Sequence, residues 1–300
     1  MTLTKAHNRM IKGAMANVMD YGAVGDGVAD DTIAIQAAID SGRIAYLPSG
    51  TYKVTSTLAI SQRGRALIGA SPMRRDFTGV SQIVYAGPAS STTTVIQMGQ
   101  NTVGSEPAID CSANVLQNVF IDCANLAGFG VYATYITNES LVDNVTIDNS
   151  TEFSAYFARS WYATFSNITS LSCQGKGLAF GMPLILQNGT DYSGSWIASS
   201  PLEINQSSID NIRSINAGLY YSVDNPNTYD PTSATHRMQG YGIGAGFGNG
   251  MTMTNFVSEG SGGANLYVYS TTQPRKTIQY GYLENANKNS GLNASTEVAG

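Results

Sequence analysis

Two pairs of carboxylates recur at matching places in this chain. Glu259 in "FVSEG" and Glu284 in "GYLEN" stand 25 positions apart, and Asp122 in "FIDC" and Asp148 in "TIDN" stand 26 apart. Two carboxyl groups held about 5 to 9.5 Å apart can cleave a glycosidic bond, one protonating the leaving oxygen and the other acting as base or nucleophile. Equivalent residues on neighbouring turns of a coiled chain fall near the lower end of that range. The plain structural alternative for either pair is a stacked polar bend with no chemistry. Glutamate is the scarcer acid in this sequence, which favours Glu259 and Glu284 as the catalytic pair and leaves Asp122 and Asp148 as alternatives.

A second constellation lies in "TYDPTSATHRM", which brings Tyr229, Asp230, His236 and Arg237 into one short segment. β-Elimination beside a uronate carboxylate needs a base for the α proton and a group to neutralise the carboxylate. Arg237 suits the second role, because a guanidinium holds a carboxylate through two parallel hydrogen bonds. His236 is one of two histidines, the other being His7; a loop histidine is more commonly a solvated surface residue. Trp196, Tyr192, Tyr220 and Tyr221 either stack on sugar faces or anchor their own loops. No cluster has metal-ligand spacing, so neither a metal nor a cofactor is expected.

These residues need a scaffold that brings distant numbers together, and the chain carries a repeat that does so. "LQNVFIDC", "LVDNVTIDN", "ATFSNITSLSC", "SSIDNIRSIN", "TMTNFVSEG" and "TIQYGYLEN" are short alternating strands ending at a small or acidic residue. Asn118, Asn144, Asn167, Asn211 and Asn255 mark steps of 26, 23, 44 and 44. The last two are close to twice 22, which suggests one further turn inside each. A period in the low twenties without a helical half indicates a parallel β-solenoid, whose turns stack and pile their apolar positions into one core. The asparagines would bond their neighbours above and below at the bend. Two long departures, near 181–203 and 218–250, carry most of the candidate aromatics, and insertions of this kind gather on one face of a solenoid.

"MDYGAVGDGVADDTIAIQAAID" looks at first like a phosphate loop. It lacks the GK[ST] that a P-loop requires and has Asp30 where a dinucleotide fingerprint needs glycine. The better reading is a helix from Thr32 to about Asp40, capped by Asp30 or Asp31 and covering the exposed first turn of the coil. "RIAYLPSGTYKV" then reads as strand, turn, strand.

Composition agrees with a β-rich protein. Charged residues are 12% of the chain, about half the usual 25%, with Gly, Ser, Thr and Asn in their place. A net charge of -5 offers no basic patch for nucleic acid. The N-terminus has no long apolar run of a secretory signal, and no window reaches the roughly 18 apolar residues of a membrane span. Cys111, Cys123 and Cys173 form no CxxC pair and read as small buried residues.

"NVMDYGAVGDGVADDTIAIQAAID" followed by "IAYLPSGTYKV" resembles the opening module of the pectate-lyase-like right-handed β-helix superfamily. "KAHNRMI" before it is similar to the neck of bacteriophage tailspikes and capsule depolymerases. The resemblance implies an all-β, single-stranded right-handed parallel β-helix with an N-terminal capping helix. Residues 1–17 would be a neck, 18–58 the opening and capping module, and 59–300 the β-helix, whose C-terminal end would be truncated. It also implies a homotrimer in the virion tail, synthesised in the host cytoplasm and joined to other tail or baseplate proteins through its N-terminus. Its partner would be a bacterial surface polysaccharide that it binds and cleaves, with hydrolysis slightly favoured over β-elimination. A non-catalytic receptor-binding spike and a cellular pectinase-like enzyme are the alternatives. The NTD, DD, GHG and RIK motifs of polygalacturonases are missing downstream, and tailspikes share no single catalytic motif, so the resemblance assigns no catalytic residue.

Overall fold

The computed structural model describes residues 13–72, 79–99, 111–182, 184, 202–218, 240–246, 248–269, 276–284 and 296–299. Among them the chain winds as a coil in which each turn lays one strand on a long sheet and another on a second sheet. The regular part of the long sheet stacks Val115–Asp122, Leu141–Asp148, Thr164–Leu171, Ser208–Ile215, Met251–Glu259 and Lys276–Glu284, all parallel. The second sheet stacks Ser90–Gly99, Ala127–Thr134, Phe153–Ala158, Lys176–Phe180, Ile243–Ala245 and Leu266–Tyr269 in the same sense. Twisted strands returning parallel to themselves do so right-handedly. The result is the right-handed parallel β-helix the sequence pointed to, with one α-helix among the described residues.

Pairing converts the sequence repeat into files of stacked side chains. One inward file runs Leu116, Val142, Phe165, Ile209, Met253, and a second holds Val119, Val145, Ile168, Ile212 and Phe256, all buried. Each such side chain contributes about 1.5–3 kcal/mol by leaving water. Between the two files the strand must turn a corner, and Asn118, Asn144, Asn167, Asn211 and Asn255 take it with φ of 49–58°. Asparagine tolerates this left-handed region better than bulkier residues. Its amide then bonds along the coil: Asn144 Nδ2 donates to Asn118 Oδ1 at 2.7 Å, and Asn211 Nδ2 to Asn167 Oδ1 at 2.5 Å. Asn167 and Asn255 instead donate to Asp143 and Asp210, at 2.7 and 2.8 Å. In the first turns two separate strands make this corner. Ala66–Gly69 aligns with the start of Val115–Asp122, and Ser81–Tyr85 with its end.

The steps of 44 are single turns. Thr164–Leu171 pairs directly with Ser208–Ile215, which pairs directly with Met251–Glu259, so no further turn lies inside either step. The surplus residues fall in the sequence between Lys176–Phe180 and Ile204–Asn205 and between Ser208–Ile215 and Ile243–Ala245. The second excursion also ends sooner than residue 250, because Ile243–Ala245 already pairs with Leu178–Phe180.

At the other end, helix Thr32–Asp40 buries Ile35, Ala38 and Ile39 over the first turn. Its start differs from a simple side-chain cap. Asp30 Oδ1 accepts from the Thr32 N–H at 3.0 Å, but the Asp31 carboxylate turns away and accepts from the N–H groups of Val24 and Gly25, at 2.7 and 3.1 Å. The glycine loop therefore does cradle an anion, and that anion is the chain's own buried Asp31. Cys111, Cys123 and Cys173 are free thiols and buried.

Candidate functional site

The register of the long sheet puts both carboxylate pairs into one outward file. In order it reads Asp122, Asp148, Leu171, Ile215, Glu259, Glu284. Glu259 and Glu284 are direct partners on adjacent turns, as are Asp122 and Asp148, with strands about 4.8 Å apart. Leu171 and Ile215 separate the pairs, so the file offers two carboxylate couples rather than one continuous acidic strip.

The surroundings of the two couples differ. Asp122 Oδ1 accepts from the Ala124 N–H at 2.8 Å and from Asn149 Nδ2 at 3.0 Å, fastening the bend that follows its strand. Asp148 is 1% exposed. Glu259 is partly buried and Glu284 exposed. The Tyr282 hydroxyl donates to Glu284 Oε2 at 2.6 Å. That bond and the charge of Glu284, with smaller contributions from desolvation and the charge of Glu259, push the Tyr282 phenol above its ordinary value. Tyr282 thus senses both glutamates, and it was missed in the sequence although its place two residues before Glu284 in a strand puts it on the same face.

The second sheet carries a different surface. Outside its core, Phe129 stacks on Phe153 with centroids 5.3 Å apart, Tyr132 on Tyr156 at 5.3 Å, and Tyr241 on Tyr267 at 5.9 Å. Met182, Leu184 and Leu202, at the ends of the first excursion, join this buried cluster, and the Tyr156 hydroxyl donates to the Met182 carbonyl at 2.8 Å. Tyr241 brings in the end of the second excursion. Both excursions therefore spring from one face, as insertions in a solenoid should. Lys176 Nζ lies 4.7 Å from the Phe153 ring centroid, and burial pushes its pKa down to about 8 against the opposing charge of Glu152. Arg159 lies over the Tyr135 ring and donates to its hydroxyl. Neither cation was singled out in the sequence, where each stands as a lone charge in or beside a strand.

Tyr192, Trp196, Tyr220, Tyr221, Tyr229, Asp230, His236 and Arg237 lie outside the described residues. The carboxylate file is thus the part of the candidate site whose geometry can be followed. Its glutamate end presents two acids and a phenol to solvent, which is an arrangement capable of proton transfer to and from a bound sugar.

Known proteins resemble this chain at two levels. Residues 15–151 match the family described as rhamnogalacturonase A/epimerase, pectate lyase-like. A stretch of 44 residues is 59% identical to mannuronan C5-epimerase AlgE5 of Azotobacter vinelandii, covering 13% of this chain and 4% of that protein. The gp42 tailspike of Acinetobacter phage vb_AbaP_AS12 superposes with a TM-score of 0.58 at 14% identity, over 85% of this chain and 40% of that one. The phiAB6 tailspike, solved with oligosaccharides of Acinetobacter baumannii surface polysaccharide, gives 0.54 at 17% identity, over 97% of this chain and 49% of that one. This chain spans less than half the length of either tailspike, and at such identities the likeness is one of fold. The N-terminal part of the chain is thus similar to the pectate-lyase-like family, and the chain as a whole has the parallel β-helix architecture of the two tailspikes.

Proposed function

We propose that this chain binds a bacterial surface polysaccharide, capsule or O-antigen, and hydrolyses one of its glycosidic bonds as part of a phage tailspike. The observation that carries this reading is the direct pairing of Glu259 with Glu284 on the outer surface of adjacent turns. A strand spacing of about 4.8 Å is near the separation of about 5–5.5 Å at which one carboxylate attacks the sugar itself. Glu259 then protonates the leaving oxygen while Glu284, oriented by the Tyr282 hydroxyl, attacks the anomeric carbon. In the second half, Glu259 takes a proton from water, whose oxygen displaces Glu284. The net change adds OH to the anomeric carbon and H to the leaving sugar.

The tailspike setting is supported by the neck-like "KAHNRMI" and by the shared architecture. A homotrimer, and attachment to tail or baseplate proteins through residues 1–17, belong to the same reading. The test is incubation with purified capsule and O-antigen, following reducing ends and absorbance in the unsaturated-uronate band. Reducing ends without absorbance support hydrolysis. Absorbance would transfer the chemistry to the set Tyr229, Asp230, His236 and Arg237, and binding without either signal would make the chain a non-catalytic spike.

A further inference from the structure

Successive turns put asparagine at the left-handed corner of the long sheet, and the strand Lys276–Glu284 puts Tyr280 there, with φ 58°. A bulky side chain in that region is an outlier, and strain of this kind collects where a function holds it. Tyr280 gains no burial in exchange, being 77% exposed. It also interrupts the run of corner amides that ties the earlier turns together. Two positions on, Tyr282 is 54% exposed and bonded to Glu284. Gly281 between them must face inward without a side chain, since a Cβ there would stand 2.0 Å from Cζ of Phe256. Tyr280 accordingly stands exposed at the corner and Tyr282 exposed on the outer side of the segment that follows it, with Glu284 beside Tyr282 and Glu259 one turn back. Among the described residues, Tyr162 is the other strongly exposed aromatic.

We propose that Tyr280 and Tyr282 form a stacking platform for a neutral or amino-sugar segment of the polysaccharide, next to Glu259 and Glu284. This rests on the function proposed above and names the substrate class for that same site. An exposed phenol offers a flat apolar face to the C–H side of a pyranose ring, and carboxylates at the rim accept from its hydroxyls. The nearby charges are negative, Glu284 being bonded to the Tyr282 phenol and Glu259 lying one turn back. In the file of Tyr282 the nearest cation is Arg213, two turns away behind Val257, or about 9.6 Å, which is beyond a Debye length of about 8 Å. A uronate seated on this platform would meet two like charges, whereas a neutral sugar would meet two acceptors.

The experiment is an array of bacterial capsule and O-antigen oligosaccharides, with neutral, amino-sugar and uronate-containing members. It is probed with the wild type, Tyr280→Asn and Tyr282→Ala, with a parallel thermal melt and a solution mass for each. Wild type should retain neutral or amino-sugar members, and each variant should bind them about tenfold more weakly, the factor that one stacked ring supplies. Tyr280→Asn restores the corner residue of the earlier turns and should melt about 1–2 °C higher, which separates lost binding from lost fold. Unchanged binding in both variants, or wild-type binding confined to uronate members, overturns the platform and leaves polysaccharide binding standing. A fall in solution mass in the variants without a fall in binding also overturns it, by making the face a contact between copies. Failure of the wild type to bind any member overturns the underlying function as well.

Discussion

Asp122 with Asp148 and Glu259 with Glu284 occupy the same file of the same sheet, as register partners on adjacent turns, yet their surroundings differ. The aspartates stand where the strand enters a tight bend, and Asp122 is consumed by the backbone of Ala124 and the amide of Asn149. The glutamates stand at the same place at the end of their strands but are one methylene longer, and Glu284 meets a phenol instead of a backbone donor. Stacking supplies proximity to both couples equally. What distinguishes them is burial and the donor each meets: Asp148 is buried and Asp122 is held by a backbone N–H and an amide, while Glu284 is exposed and held by a phenol.

The strongest way to break this contrast is by activity. Glu259→Gln should lower cleavage of a polysaccharide the wild type degrades by about 10²–10⁴-fold, the usual yield of a general acid or base, and Glu284→Gln, which removes the nucleophile, by at least about as much, both with unchanged thermal midpoints. Asp122→Asn should leave the rate within a factor of two or so. A well-folded Asp122→Asn protein that has lost activity would reverse the assignment. Stability should run the other way. Asp122→Ala strips two donors of their acceptor and should cost about 1–2 kcal/mol in urea denaturation, whereas Glu284→Ala should stay within about 0.5 kcal/mol. The smallest effect concerns pH. Asp210 is held below the usual carboxylate range by hydrogen bonds from Thr254 and Asn255. Asp143 is held below it as well, because bonds from Ser166, Asn167 and Gln117 together outweigh the desolvation that opposes them. A carboxylate with a depressed folded-state pKa adds stability above its unfolded value, and that stability is lost as the pH falls toward the folded one. The decline of the urea midpoint below about pH 4 should therefore be shallower in Asp143→Asn and Asp210→Asn than in the wild type, and an equal decline would remove these two from the acid response.

Much of this was legible in the sequence because a parallel coil writes its geometry as a period. The asparagines marked the corner correctly, since few other residues accept φ near 50° while bonding along the stack. The same period paired Glu259 with Glu284 and Asp122 with Asp148 without any structure. It failed where counting residues is not counting turns. The steps from Asn167 to Asn211 and on to Asn255 hide excursions, and length alone cannot tell a loop from a turn. The role of Asp31 was also out of reach, because its partners Val24 and Gly25 offer only backbone N–H groups, which leave no trace in residue type. Tyr280 was overlooked for a simpler reason. It breaks the asparagine pattern, and pattern-matching skips the exception that carries the strain.

The direct pairing of Leu171 with Ile215 across a large gap in the numbering has a broader consequence. The two strands take adjacent hydrogen-bonding slots whatever the number of residues that joins them. Doubling such a detour adds only about 0.6 kcal/mol of closure entropy. Length between the paired strands is therefore cheap, and the segments that join them can change while the stacked frame stays as it is.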